Sequence, residues 1–284
     1  MKAISVFVSA LICILPAAAA NFVIGGPNST LAPSSGSYSF DGSEWTNYQA
    51  AVTNTANFGP GGIVSTPVSI QVLSSITAGT LSGLNAFVSP WWYNSDSSSY
   101  NQTVVNYFLA GGSLILLDDS TGQDGIAALL GIPTVGGADG TPMNGGAPLF
   151  SGLFGAASNV LQSGEIGYFS AANITAHGGT VCATNGSGQP TAACFNRGAY
   201  APGSGAMVII NDIDTWTSEA NYTSMNSNAR FALNGTAFII NAPVVSGPPT
   251  VPALSEWGVV ALAALLIGSA SAALAFSGRN RVAA

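Results

Sequence analysis

Few residues in this chain have side chains suited to chemistry, and the carboxylates are the most organised of them. Asp118 and Asp119 directly follow the apolar run Leu114–Leu117, and Asp212 and Asp214 follow Met207–Ile210 after a gap of one residue. If both runs are parallel strands, all four acids leave the carboxyl edge of one sheet, where open α/β sheets bind their ligands. Such a cluster is a candidate Ca²⁺ site, because Ca²⁺ takes six to eight oxygen ligands. Paired carboxylates also serve as general acid and base in glycoside hydrolysis when their environments separate their pKa values. The plainer reading is capping, with Asp119 or Ser120 ahead of Gln123 and Asp214 or Thr217 ahead of Glu219. Ser120 is a candidate nucleophile with His177, the chain's single histidine, as base. Its surroundings, Asp118-Asp119-Ser120-Thr121-Gly122, are not a Gly-x-Ser-x-Gly elbow. Trp91, Trp92 and Tyr93 follow another short apolar run; they could stack on a sugar ring or form a hydrophobic corner under the loop 94–99.

The elements that would position these groups alternate between two periodicities. Phe22-Val23-Ile24, Val68–Leu73 and Ala86-Phe87-Val88 read as strands, and Tyr100–Leu109 as an amphipathic helix with Val104, Val105, Phe108 and Leu109 on its apolar face. Ala110-Gly111-Gly112 ends that helix. Leu114–Leu117 is continuously apolar, as a strand buried on both faces must be. A helix is expected from about Gln123 to Leu130, a long loop over 136–155, weaker strands at Ile166–Phe169 and Val181-Cys182, a strong strand at Met207–Ile210, and a final helix from about Asn226 to Asn241. This alternation predicts an α/β fold, a mostly parallel sheet with helices on both faces.

Composition narrows the functions open to the chain. Only 6% of its residues are charged and its net charge is −7. Between residues 21 and 242 the only basic side chains are Arg197 and Arg230, which argues against nucleic-acid binding, since that needs cations to replace phosphate counterions. Cys182 and Cys194 are expected to form a disulfide in an oxidising compartment, worth ~3 kcal/mol by loop entropy. A Cys–His177 nucleophile pair is the alternative.

Both ends of the chain look like address labels. Lys2, an apolar stretch to Leu15, Pro16 and Ala17–Ala20 make residues 1–20 an expected secretory signal peptide, which would engage the Sec translocon and signal peptidase. A Pro-rich stretch, 243–252, reads as a stiff linker from an exported domain at 21–242. Residues 257–277 are apolar and uncharged, about the ~20 residues that cross a bilayer. The Arg-bearing tail, 278–284, places the C-terminus in the cytoplasm.

Val251, Pro252, Ala253, Leu254, Ser255, Glu256, Trp257 and Gly258, followed by that apolar helix and tail, resemble the IPTL-CTERM sorting domain, a relative of PEP-CTERM signals. The resemblance covers residues 251–284. It implies a Gram-negative source and an exosortase-type membrane transpeptidase as partner. The protein would then be anchored in the inner membrane before processing and afterwards lie at the cell surface or outside the cell.

The run from Ala86 to Gly131 resembles class I glutamine amidotransferase-like domains, which include ThuA-like proteins and have a flavodoxin-like fold. In working amidotransferases the turn after the apolar strand holds a nucleophilic Cys; here it is Asp118–Gly122, so amidotransfer is not expected. The expected function is noncatalytic binding of polysaccharide or another ligand at the strand-end edge of a surface-sorted protein. The alternative is an extracellular hydrolase using the strand-end carboxylates.

Overall fold

The computed structural model describes residues 21–245, which fall within a compact unit ending at Val245. Its strands are β1 (Phe22–Pro27), β2 (Val68–Leu73), β3 (Ala86–Ser89), β4 (Ser113–Leu117), β5 (Thr134–Gly137), β6 (Asn144–Gly145), β7 (Ser151–Gly152), β8 (Gly155–Ala156), β9 (Gly167–Phe169), β10 (Thr180–Thr184), β11 (Pro190–Phe195) and β12 (Met207–Ile210). Its helices are α1 (Thr46–Thr53), α2 (Ala78–Leu81), α3 (Asn94–Ser97), α4 (Asn101–Leu109), α5 (Gly125–Leu129), α6 (Ala171–Ala176) and α7 (Ser227–Asn241).

An eight-stranded sheet runs in the order β2-β1-β3-β4-β12-β11-β10-β6. The five strands from β2 to β12 pair in parallel, and β11, β10 and β6 extend the sheet antiparallel. The fold is therefore α/β with a mostly parallel sheet, as the alternation of strands and helices predicts. The antiparallel side is an addition to that expectation.

Burial explains why Leu114–Leu117 in β4 and Met207–Ile210 in β12 are apolar at every position. In β4, Ile115 and Leu117 enter one core with Trp45, Tyr48, Trp216 and Phe231, while Leu114 and Leu116 enter a second core with Phe87, Trp92, Phe108 and Ile126. Alternate side chains point to opposite faces of a strand, so a strand covered on both sides has no polar position to spare. The first core lies under α1 and α7, and the second under α4 and α5. Helix α7 starts at Asn226, whose side chain accepts from Ala229 N at 2.9 Å. Helix α4 stops where Gly111 takes a φ of 106°, a conformation that favours glycine.

Two expectations change in detail. The helix expected from Gln123 to Leu130 is the shorter α5, and the expected loop over 136–155 contains the two-residue strands β6, β7 and β8. Asn234, buried in α7, holds part of this region: its Oδ1 accepts from Phe154 N at 2.9 Å and its Nδ2 donates to the Leu149 and Gly155 carbonyls at 3.0 Å each.

Among the described residues no helix is long and apolar enough to cross a membrane. The expected signal peptide 1–20, sorting motif 251–258, membrane span 257–277 and basic tail 278–284 lie outside the described residues. Of the linker 243–252, the first three residues are described; Val245 N donates to Arg197 O at 2.8 Å.

Candidate functional site at the carboxyl edge of the sheet

Because β4 and β12 are parallel neighbours, Asp118, Asp119, Asp212 and Asp214 emerge side by side, as their spacing after two apolar runs predicts. The acids do not face solvent, however. Asp118 and Asp212 are 1% and 0% exposed, and Asp119 and Asp214 are also buried. An ionised carboxylate is stable in such a place only if hydrogen bonds or opposite charges replace its water.

Three of the four use their oxygens to tie the chain together. Asp119 Oδ1 accepts from Ile213 N at 2.7 Å, fastening the end of β4 to the turn after β12. Asp212 caps that turn, with Oδ1 accepting from Asp214 N at 2.8 Å, and its Oδ2 accepts from Ser163 N at 2.9 Å. Asp214 Oδ1 accepts from the Tyr38 hydroxyl at 2.7 Å and from Ser218 Oγ. Asp118 differs: its Oδ2 is buried and has no hydrogen-bond partner.

Burial dominates the electrostatics. It raises the Asp118 carboxyl well above the ordinary carboxylate range, and the nearby charges of Asp124 and Asp119 raise it further. Asp119 is raised chiefly by burial against the opposing Ile213 hydrogen bond, with Asp214 and Glu165 adding to the rise. Asp212 is raised by burial and next by the charge of Asp119. Carboxyl groups brought together in low dielectric resist ionisation, which is the direction in which all three are moved.

The geometry lends the expected Ca²⁺ site at Asp118, Asp119, Asp212 and Asp214 no support. Among the described residues no group of three or more His, Cys, Asp or Glu side chains is arranged to hold a metal ion. Asp119 Oδ1, both oxygens of Asp212 and Asp214 Oδ1 already accept from backbone N–H groups, Tyr38 and Ser218, whereas Asp118 Oδ2 has no partner.

The catalytic pairings also fail to assemble. His177 Nδ1 lies 2.8 Å from Asn173 O, and its ring stacks on Tyr200 with centroids 5.4 Å apart. It makes no hydrogen bond to Ser120 or to any of the four carboxylates among the described contacts. Ser120 Oγ instead donates to Gln123 Oε1 and accepts from Gly122 N at 3.2 Å, a local turn of the capping kind. Cys182 and Cys194 are joined across β10 and β11 with Cα atoms 6.0 Å apart, as expected, so neither sulfur is a free nucleophile.

The two tryptophans part company. Trp92 is 1% exposed, donates from Nε1 to Leu31 O at 3.1 Å and packs against Phe87 and Tyr100. It is a core residue, which corrects its expected place in a ligand site. Trp91 is only partly buried and meets Tyr38 edge-on at 5.3 Å and Tyr93 at 4.9 Å. Tyr38 links this aromatic group to the acids through Asp214, and burial, then Asp214, pushes the Tyr38 hydroxyl upward. A cavity of about 170 Å³ lies beside them, lined by Asp119, Ser120, Thr121 and Glu165. That is smaller than the ~300–1,000 Å³ usual for small-molecule sites.

Sequence reasoning missed Tyr38, Asp124 and Ser163. Tyr38 lies 176 positions from Asp214, so no local spacing announces it. Asp124 is held by Asn94 Nδ2 and Thr134 N, each at 3.1 Å, and the proximity of its charge to Asp118 depends on the path of the turn before α5.

Comparison with known proteins bears mainly on the C-terminus. The IPTL-CTERM motif matches at residues 250–281, the segment that carries the expected sorting signal. No curated protein matches the chain. Among solved structures, the mmIFT52 N-terminal domain is similar at 10% identity with a TM-score of 0.53, covering 80% of this chain and 100% of that one. The exo-β-1,4-mannosidase Op5Man5 from Opitutaceae bacterium strain TAV5 matches at 8% identity and TM-score 0.42, covering 80% of this chain and 37% of that one. A β-galactosidase from Rahnella sp. R3 matches at 12% identity and TM-score 0.46, covering 80% of this chain and 32% of that one. At these identities the likeness concerns the fold alone. The narrower resemblance to amidotransferase-like domains is not confirmed by the structural neighbours.

Proposed function

We propose that this protein is an exported, noncatalytic surface protein whose α/β domain is handed to the cell surface by an exosortase-type transpeptidase. The IPTL-CTERM match at residues 250–281 is the observation that carries the reading. The Cys182–Cys194 disulfide agrees with an oxidising destination, and the cluster of buried acids agrees with structural duty. On this reading residues 1–20 are removed by signal peptidase after Sec export, 21–242 form the exported domain, 243–252 are the linker, and 257–277 hold the protein in the inner membrane until the tail is cut.

The order of the five parallel strands, 2-1-3-4-12, follows the flavodoxin-like pattern, which supports that narrower assignment of the fold. In such a sheet the crevice opens where the strand order reverses, between β1 and β3, and Trp91 follows the end of β3. Extracellular polysaccharide is the ligand class assigned to this edge, with Trp91 and Tyr93 as the stacking surface. The hydrolase alternative is not favoured, because His177 and Ser120 each bond elsewhere. Thermal unfolding with a panel of neutral polysaccharides tests the binding role, since a ligand selective for the native state raises its stability. A shift that disappears in Trp91→Ala supports the edge as the site; no shift with any polysaccharide leaves the domain a purely structural one.

A further inference from the structure

A cavity of about 800 Å³ lies away from the carboxylates, at the amino-terminal edge of the sheet. Its walls come from α2 and α4, and its floor from Asn85 and Gly112, the residues just before β3 and β4. Leu81 and Leu84 give it an apolar side; Asn85, Thr103 and Asn106 give it a rim of amide and hydroxyl groups. Its size is that of a small-molecule site.

Two polar groups in this cavity are incompletely used. Arg197 donates from Nη1 to Gly111 O at 3.4 Å and from Nη2 to Ile239 O at 3.2 Å, which uses two of the five N–H donors of its guanidinium. Tyr107 also lines the cavity, and its buried hydroxyl has no well-formed hydrogen bond, only the nearby backbone N–H of Ser113. Burial raises that hydroxyl, while the charge of Arg197 and then the backbone N–H of Ser113 act on it in the opposite sense. Arg197 is one of only two basic side chains among the described residues, in a chain of net charge −7. The Tyr107 ring lies directly over Gly112, where even a Cβ would meet it at 2.1 Å. Its position is thus set by the backbone.

We propose that this cavity binds a small hydroxylated carboxylate of the uronic-acid type. Its carboxylate accepts from the Arg197 guanidinium and the Tyr107 hydroxyl, its hydroxyls meet Asn85, Thr103 and Asn106, and its apolar face lies on Leu81 and Leu84. Arg is suited to this task because its donors form a planar fork that matches a carboxylate. The site is independent of the strand-end edge, and the two are distinguished by Trp91→Ala, which leaves this cavity intact.

Calorimetric titration of the full-length protein in detergent with glucuronate, and with glucose as the neutral counterpart, tests the assignment. Glucuronate binds and glucose does not. Tyr107→Phe removes only the hydroxyl and keeps the ring over Gly112, so it keeps the fold while weakening glucuronate. Arg197→Gln weakens it about tenfold or more, the usual consequence of losing a charge-assisted hydrogen bond. Absence of glucuronate binding, equal binding of glucose, or unchanged affinity in both variants overturns the proposal.

Discussion

Acidification stabilises this domain down to the ordinary carboxylate range, and Asp118→Asn isolates the cause. In the folded state Asp118, Asp119 and Asp212 are all raised well above the usual carboxylate range, so the native state binds more protons than the unfolded chain. Stability then falls as pH rises. The contribution is fully present below the unfolded value of ~3.9 and is lost as pH climbs through the raised folded value, at about 1.4 kcal/mol for each unit of elevation. Asp118 is the cleanest place to test this, being 1% exposed with an unpartnered Oδ2 and with Asp124 and Asp119 nearby. Asparagine has nearly the shape of the protonated acid and cannot ionise. In urea titrations from pH 4 to pH 8, Asp118→Asn matches the parent at pH 4 and exceeds it at pH 8, by about 1.4 kcal/mol for each unit by which folding raises the carboxyl. Repetition in high salt separates this from repulsion among surface acids, which salt screens far more strongly than buried charge. Equal loss of stability at both pH values, or a parent protein that grows more stable toward pH 8, refutes the argument.

Three further outcomes follow from particular contacts. Replacing both Cys182 and Cys194 with Ala frees a 12-residue separation and lowers stability by about 3 kcal/mol, read as a lower urea midpoint that reductant no longer changes. Asn234→Ala strands the Phe154 N–H and two carbonyls, costing about 2–3 kcal/mol and exposing the 149–156 segment to proteolysis before the rest. Asn226→Ala removes the cap of α7 and costs about 1 kcal/mol in the same titration.

The parts of the fold that sequence revealed are those where burial leaves one solution. Leu114–Leu117 and Met207–Ile210 are apolar at every position because both faces of β4 and β12 are covered, and their parallel pairing brings the four acids together. Strand β2 is legible at its full length, Val68–Leu73. Strand β11, Pro190–Phe195, escaped notice because Thr191, Ala192 and Ala193 have little bulk and Pro190 opens it; pairing with β10 and β12 supplies what local propensity does not. Helix α1 was equally hidden, since Thr46-Asn47-Tyr48-Gln49 gives a weak apolar stripe, and it is held by Tyr48 bonding Thr236 at 2.9 Å across the core.

The site shows the same division. Sequence placed the acids at one edge but could not say which way their oxygens turn. That depends on Ile213, Ser163 and Tyr38, which arrive from distant segments. Metal binding and capping draw on the same residue types, and only the direction of each lone pair separates them. The fate of Trp91 and Trp92 likewise turns on one step along the chain: Trp92 enters the second core while Trp91 stays at the edge.

The most direct test of the account is fractionation of the native host expressing the full chain beside a Pro252→Ala, Trp257→Ala variant. Both substitutions lie in the segment that matches the IPTL-CTERM motif. The account predicts that the unaltered protein reaches the surface or medium with the mass of a chain shortened at both ends, while the variant stays in the inner membrane with its tail attached. Equal release and equal mass of the two proteins would contradict sorting by that motif.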